Sequence, residues 1–437
     1  GNEARIVGTL LGLAISKLKG LQSGMEETLL KAFKIHLQFL YPPKPEVQIS
    51  RVVQSAAMIA VGIYNLGLSK KIESEMFLAQ IEAPLFNENN LDRECHSLSA
   101  GIALGLVNLG KGSWMPSVKD IKLDDKLFDI LEGRIKSQAS DFQASNCLDP
   151  TENKNELGFN GSLMALGLIH LKSNKESVAK RIRIPSTIHE VRCCNPCNIL
   201  FKSFVRNIIM WEVMESSSEF VEQSMPLNIR TWIRSDYLQL SMLLPLNVSV
   251  ADIDFQNLYL IYYATRVGTL YALAIKFAGT ADHLLKRLLI AEFRQVESIP
   301  VVDNEFLFGA NQTKGLDVYS YYWLLTVLSI CLGVLMAGRC TLDILKVIKG
   351  VQSKLRKKTK ENMDSEFNES IFGLHFGLQM AVGFLFLGNG ALTFGNSNFQ
   401  IACLIISTYP VFPLNYGDNQ YHLQALRHLW ALSTENK

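Results

Sequence analysis

Charged residues are scarce in this sequence. They make up 19% of the 437 residues, against 48% hydrophobic residues, and 43 basic and 41 acidic side chains leave a net charge of +2. A charge so close to zero gives no electrostatic argument for nucleic-acid binding, and no zinc finger or RNA-binding motif is present. A chain of this length and apolarity can bury a large core.

Catalytic motifs are also missing. Gly388-Asn389-Gly390 lacks the Gly-Lys of a phosphate-binding loop, and no Gly-x-Ser-x-Gly elbow occurs. Asp124, Asp125 and Asp129 resemble the aspartate box of all-α terpenoid synthases, but Phe128 occupies the position of the last aspartate. No acidic residue recurs on the apolar segments, which disfavours a toroidal glycosidase with paired carboxylates. We predict no catalytic site.

Metal ligands at zinc-site spacing are incomplete. Cys193, Cys194 and Cys197 form a cluster with His189 nearby, but no second Cys or His pair follows at finger spacing. The eight cysteines are scattered through apolar stretches, and no secretory signal is present. We therefore expect no metal and no cofactor, and a reducing intracellular compartment.

Two apolar runs have the length of a membrane span. Residues 321–338 contain no charge in eighteen residues, and 371–388 are nearly as apolar. Both runs carry the repeat pattern described in the next paragraph. Other copies of that pattern have neighbouring sequence that is plainly typical of soluble proteins, so we predict no membrane contact. Because the chain lacks an initial Met and begins inside a repeat-like pattern, we expect it to be a segment of a longer protein.

One short pattern occurs six times. A small residue stands two positions before a central Gly or Ala, and in five copies another Gly follows five positions after the central residue. The central positions are Gly62, Gly105, Gly167, Ala274, Gly333 and Gly383, and the second glycines are Gly67, Gly110, Gly279, Gly338 and Gly388. Such self-similarity is typical of a repeat architecture.

The pattern predicts helical hairpins. The apolar runs around the central positions leave almost no polar face, so they predict buried helices whose small residues allow close backbone approach. The second glycine suits a left-handed helix C-cap, and a more amphipathic outer helix follows. Gly62 and Gly105 are 43 residues apart, one solenoid hairpin. The predicted repeats lie near 4–40, 50–82, 93–135, 158–185, 258–292, 319–350 and 370–408.

The rest of the chain departs from this spacing. The 107 residues between Gly167 and Ala274 predict an insertion or degenerate repeats over 190–255. We expect 142–155 and parts of 190–254 to be irregular, and a C-terminal closing helix over 418–433.

These residues resemble the proteasome/cyclosome repeat family. Its generic motif, Ala-Gly-x-Ala-x-Gly followed by Gly, matches residues 100–110. Three stretches resemble the cyclosome branch, which comprises the largest subunits of anaphase-promoting complexes, more than the scaffold subunits of the proteasome regulatory particle. They are residues 92–101, 380–398 and 409–429, in the same order as in that branch.

The resemblance implies an all-α fold, an α-α solenoid closed into a toroid of two concentric helix rings, as one domain over 1–437. It implies a non-catalytic scaffold in a multi-subunit RING-type ubiquitin ligase that controls mitosis, located in nucleus and cytoplasm. Implied partners are the Doc-domain, cullin-like and TPR subunits and the WD-repeat coactivator, with no nucleic acid and no membrane. The alternatives are a proteasome scaffold, an α/α-toroid enzyme and a membrane protein.

Overall fold

The computed structural model describes most of the chain. The described residues are 2–18, 31, 35–36, 38–39, 49–82, 90–132, 158–244, 250, 253–302, 315–361, 365–415, 417–418 and 423–437. The irregular segment expected over 142–155, and most of the first repeat beyond residue 18, lie outside them. Two compact units share the chain: the first comprises 1–175, 402–411 and 417–431, and the second comprises 176–401, 412–416 and 432–437.

The first unit is built from helices in two layers. Its elements are α1 (Asn2–Leu18), α2 (Arg51–Tyr64), α3 (Lys71–Glu82), α4 (Asn90–Val107), a 3-10 helix (Pro116–Ile121), α5 (Leu123–Leu131) and α6 (Phe159–Ile169). The inner helices α1, α2, α4 and α6 pack in that order, each on the next, while α3 packs on α4 and α5 on α6. Since α2 and α6 are buried along nearly their whole length, their apolarity is a consequence of packing on several sides.

The second unit begins with short helices. They are α7 (Glu176–Arg181), α8 (Ile188–Cys193), α9 (Pro196–Ile209), a 3-10 helix (Trp211–Val213), α10 (Ser218–Gln223), α11 (Leu227–Arg234) and α12 (Tyr237–Leu243). The described part of 190–254 is thus largely helical, and the expectation of irregular structure holds only for the connections. Side-chain caps explain the helix starts: Thr187 and Asp236 each form a capping box, with Glu190 and Gln239 respectively.

Longer helices complete the second unit. They are α13 (Phe255–Lys276), α14 (His283–Glu297), α15 (Val318–Leu335), α16 (Leu342–Glu361) and α17 (Ser365–Leu385). An inner row runs α9, α13, α15, α17, with α14 packed on α15 and α16 on α17. The gap in the sequence pattern therefore holds one more inner helix, α9. Asp254, Asp282 and Asp317 cap α13, α14 and α15 by accepting a backbone N–H.

Short strands and a last helix occur beside these helices. Parallel β1 (Val301–Val302) and β2 (Leu316–Asp317) form one pair, and antiparallel β3 (Leu392–Phe394) and β4 (Thr434–Asn436) form another. In the sequence, a 3-10 helix (Leu387–Gly390) precedes β3 and helix α18 (Asn398–Ser407) follows it. The fold is mostly helical, as predicted, apart from these strands.

The predicted closing helix differs in type and extent. Asp418 is not helical, and the segment is a 3-10 helix over Gln424–Ser433 that runs into β4. Its buried Arg427 donates to the carbonyl oxygens of Ser407 (3.3 Å), Tyr409 (2.5 Å) and Val411. These charge-assisted bonds satisfy carbonyls at and just past the end of α18, so the Arg427 side chain fixes the 3-10 segment against that helix end.

Within the described part of the chain, three helical segments are long and apolar enough, by length and composition, to cross a membrane. They are Phe255–Lys276, Val318–Leu335 and Ile371–Gly390. The protein itself buries 89% of the most apolar window in the first two and 50% in the third. Internal packing accounts for the apolarity of the first two, and the absence of membrane contact stays a prediction.

Candidate functional site at the repeat turns

The central glycines lie where inner helices approach each other. A Cβ built on Gly62 would lie 2.8 Å from the Cα of Ala103, and one on Gly105 would lie 2.6 Å from the Cβ of Leu168. In the second unit, a Cβ on Gly333 would lie 2.6 Å from the carbonyl oxygen of Ala381. All three distances are too short for a side chain, so these glycines set the spacing between α2 and α4, α4 and α6, and α15 and α17.

The remaining central positions do not all share this role. Ala274 is fully buried on α13, and Gly167 is buried on α6. A Cβ on Gly383 would meet no described atom within 4 Å, and the residue is exposed. The expected close helix contact at Gly383 is therefore wrong for the described residues, because α17 turns the opposite face, which carries Ala381, toward α15.

Each second glycine has a left-handed backbone. The φ angles are 65° at Gly67, 66° at Gly110, 69° at Gly279, 64° at Gly338 and 55° at Gly388. A residue with a Cβ is strained in this region, whereas glycine adopts it readily. The chain can therefore reverse immediately after each inner helix.

Four of these turns cap the next inner helix rather than only their own. The N–H of the turn glycine and the N–H two residues later donate to the last two carbonyls of the following inner helix. The pairs are Gly67 to Leu106 (3.0 Å) with Ser69 to Val107 (2.9 Å), Gly110 to Leu168 (3.0 Å) with Gly112 to Ile169 (2.8 Å), Gly279 to Val334 (2.9 Å) with Ala281 to Leu335 (3.1 Å), and Gly338 to Phe384 (3.0 Å) with Cys340 to Leu385 (3.0 Å). The final carbonyls of a helix have no partner within the helix, so each turn satisfies two of them.

The second donor of each turn was not predicted from the sequence. Ser69, Gly112, Ala281 and Cys340 all have positive φ, between 49° and 58°. A sequence signal for this donor exists, since each turn reads Gly, any residue, then a small residue.

The outer helices repeat a contact as well: Lys71 pairs with Asp120, and Lys286 Nζ lies 2.6 Å from Asp343 Oδ2.

A buried ion network joins the short helices of the second unit to its repeats. The guanidinium of Arg266, on α13, donates to both carboxylate oxygens of Glu292 at 2.8 and 2.6 Å, and also to Glu222 of α10. Burial disfavours the charge on Arg266, but the bonds to Glu292 and Glu222 outweigh it and raise the pKa of Arg266. Removing one partner would leave a buried charge uncompensated.

Helix α9 packs directly on α13 despite lacking the glycine pattern. A Cβ on Gly268 of α13 would lie 2.2 Å from the carbonyl oxygen of Leu200 on α9. The close approach is thus provided by a glycine on the partner helix. Ser203 of α9 donates to the Thr265 carbonyl at 2.9 Å, which fixes the two helices in register.

One carboxylate of the aspartate cluster has a structural partner, and two buried cysteines have raised thiol pKa values. Asp124 of the aspartate cluster lies 2.9 Å from the buried His170 Nε2. Burial raises the pKa of the Cys331 thiol, and that of the Cys403 thiol to about 12, which disfavours the reactive thiolate. Among the described side chains, which exclude those of Cys193 and Cys197, no group of three metal-ligating residues occurs.

The comparison with protein families fits this repeat geometry. The model of the APC1 fifth domain matches residues 27–435, nearly the whole chain. The chain belongs to the APC1 fifth-domain family. This membership decides between the two branches of the repeat family in favour of the cyclosome branch.

Named relatives of this family align over 98–100% of the chain. The anaphase-promoting complex subunit 1 of Schizosaccharomyces pombe is 30% identical over 446 residues, covering 100% of this chain and 26% of the relative. The Homo sapiens protein of the same name is 28% identical, covering 100% and 21%. A protein of Emericella nidulans named negative regulator of mitosis is 27% identical, covering 98% and 19%. The chain therefore spans about a fifth to a quarter of these relatives.

Proposed function

We propose that this chain is a non-catalytic scaffold domain of an anaphase-promoting complex, the multi-subunit RING-type ubiquitin ligase that controls mitotic progression. The match to the APC1 fifth domain over 27–435 carries this proposal. The turn bonds support it, because inner helices joined through each other's ends form a rigid helical surface suited to protein contacts.

The proposed architecture is a toroid of two concentric helix rings. In it, the inner row of each unit would belong to one ring, and the outer helices to the other. Cryo-electron microscopy of the assembled complex tests this arrangement. A closed ring is expected, and an open, extended solenoid would contradict it.

The proposed partners are the Doc-domain, cullin-like and TPR subunits and the WD-repeat coactivator, in nucleus and cytoplasm. The first test is purification of the whole tagged protein from mitotic cells, followed by mass spectrometry. These subunits should copurify in comparable amounts. Copurification with the proteasome regulatory particle instead would overturn the proposal.

Reconstitution tests the absence of a catalytic role. Complexes containing the whole protein would be compared with complexes that lack residues 1–437. The cullin-like and RING pair should still transfer ubiquitin without the domain, while coactivator-dependent modification of substrate fails. If minimal transfer by that pair required these residues, the domain would take part in the chemistry and the scaffold proposal would fall.

A further inference from the structure

Two short helices of the second unit expose an apolar face. On α11 and α12, Leu227 is 66% exposed, Leu238 71% and Met242 84%. Their opposite faces are anchored, since Ile229, Trp232 and Leu240 are buried. The exposed residues Leu227, Leu238 and Met242 are called here the α11–α12 surface. The buried residues on the other side of the two helices hold this surface in place, so that it faces outward.

A groove of about 260 Å³ adjoins this surface at Leu227. It is lined by Leu227, Arg230, Thr231, Arg234, Ser235 and Gln239. Arg230 and Arg234 are four residues apart on one helix, a spacing at which like charges repel. The hydroxyls of Thr231 and Ser235 donate to backbone carbonyls at 2.9 and 2.8 Å, so the two guanidiniums are the groove's cationic donors.

The two arginines differ in their partners. Arg234 is neutralised locally, since its guanidinium lies 2.9 Å from Glu222 Oε2. The Nε of Arg230 is buried and has no hydrogen-bond partner among the described residues. A buried donor without an acceptor is unfavourable. An acceptor that enters the groove would pair with the terminal nitrogens of this guanidinium, since the Nε itself is enclosed by the protein.

We propose that the α11–α12 surface binds a segment of another protein in which a carboxylate side chain stands next to large apolar residues. The carboxylate would accept from Arg230, a charge-assisted bond that arginine often makes in bidentate geometry. The apolar residues would cover Leu227, Leu238 and Met242, of which methionine adapts readily to varied partners. Charge complementarity selects an acidic partner, because Arg230 lines the groove and, among the described residues, no Asp or Glu does.

Fluorescence anisotropy with defined peptides tests this surface on the whole protein. The probe is a labelled peptide of Glu-Glu-Leu-Leu blocks joined by Gly-Ser. One matched peptide has Gln for Glu, and another has Ser for Leu. The intact probe should bind, and each matched peptide should bind at least about tenfold more weakly, as expected for loss of a desolvated charge pair or of the apolar anchors. Equal binding of all three peptides would overturn the proposal.

Variants locate the site. Arg230→Glu and the milder Arg230→Gln should weaken probe binding about tenfold or more. Arg287→Glu, the same charge change at an exposed position of α14, should change it less than about twofold, the effect expected of a distant surface charge. Leu238→Ser should also weaken binding. Equal effects of Arg230→Glu and Arg287→Glu would show general electrostatic attraction and overturn the proposal. Displacement of the probe by inorganic phosphate, together with unchanged binding in Leu238→Ser, would also overturn it.

Photocrosslinking in the native assembly gives an independent readout. A photoreactive residue at position 238 should crosslink to a partner segment that contains Asp or Glu beside apolar residues, and Arg230→Gln should abolish that crosslink. A crosslink only to the same chain, or to a segment without acidic residues, would overturn the proposal. Circular dichroism melting confirms that each variant is folded before it is compared.

Discussion

Single glycines of the inner helices have different roles although they occupy equivalent places in the repeat. Gly105 leaves no room for a side chain, because a Cβ there would lie 2.6 Å from the Cβ of Leu168. Gly383 leaves ample room. The sequence pattern predicted both in the same way, since it records residue size and spacing but not which face of the helix a neighbour covers.

Substitution of these two glycines separates packing from helix propensity. We expect Gly105→Leu to lower the free energy of unfolding by about 1–3 kcal/mol, because overpacking displaces helix α6. Gly383→Leu should be neutral or raise it by less than about 1 kcal/mol, the gain of replacing a helical glycine. Denaturant unfolding followed by circular dichroism measures both. Equal destabilisation by the two changes would contradict the assigned helix contact.

His375 couples the stability of the second unit to pH. Burial and then the charge of Arg356 lower the pKa of His375. The unfolded side chain has a pKa of about 6.5, so below that pH the unfolded state binds more protons than the folded state. Stability should therefore fall as pH decreases through that value toward the lower folded pKa.

The His375→Gln variant tests this linkage. It should lose less stability than the unmodified protein when the pH is lowered from about 7 to about 5. Melting temperatures at several pH values, compared as differences, measure the effect. His283→Gln, which removes an exposed histidine from α14, serves as the control. A pH dependence of His375→Gln identical to that of the unmodified protein would rule out this role.

At the scale of elements, the turns are the units that join repeats. Each combines a left-handed glycine with a second left-handed residue two positions later, and both donate to the end of the next inner helix. The glycine could be predicted from the sequence, because helix C-caps have a known composition. The acceptor could not, since it lies about 40–60 residues further along the chain, where local pattern carries no information.

Two substitutions of opposite direction test the turn geometry. Gly67 has φ of 65° and open space around its missing Cβ, so Gly67→Ala should destabilise by about 1–2 kcal/mol through backbone strain alone. Ala281 has φ of 58°, so Ala281→Gly should relieve strain and leave stability unchanged or higher by up to about 1 kcal/mol, since the flexibility of glycine offsets part of the gain. Denaturant unfolding measures both changes. Destabilisation by Ala281→Gly would show that the left-handed turn is not strained.

At the scale of the whole molecule, the inner helices of each unit were largely predictable from the sequence, and the contacts that hold the short helices were not. Apolar runs with small residues at fixed spacing identify α2, α4, α6, α13, α15 and α17. Helix α9 escaped prediction because Gly268, the residue that permits its packing, lies on α13. The ion network also escaped, because Arg266 meets Glu292 and Glu222 across separations of 26 and 44 residues.

The ion network should contribute strongly to the stability of the second unit. Arg266→Met leaves Glu292, which is 1% exposed, as a buried charge, so we expect a loss of about 3–5 kcal/mol in unfolding free energy. The double variant Arg266→Met with Glu292→Met should recover much of this loss. The same unfolding measurement quantifies both, and a double variant as unstable as the single one would contradict the charge argument.

Each turn bond joins an earlier donor residue to a later acceptor residue, and the ribosome makes the chain in the same order. Each turn emerges from the ribosome before the helix whose carbonyl groups it will bind, since Gly67 and Ser69 precede Leu106 and Val107 by almost 40 residues. Domains are generally built from the N-terminus as translation proceeds. At these four turns a newly made inner helix therefore meets a finished pair of N–H donors on the repeat before it, and vectorial translation delivers the repeats in the order in which they can dock.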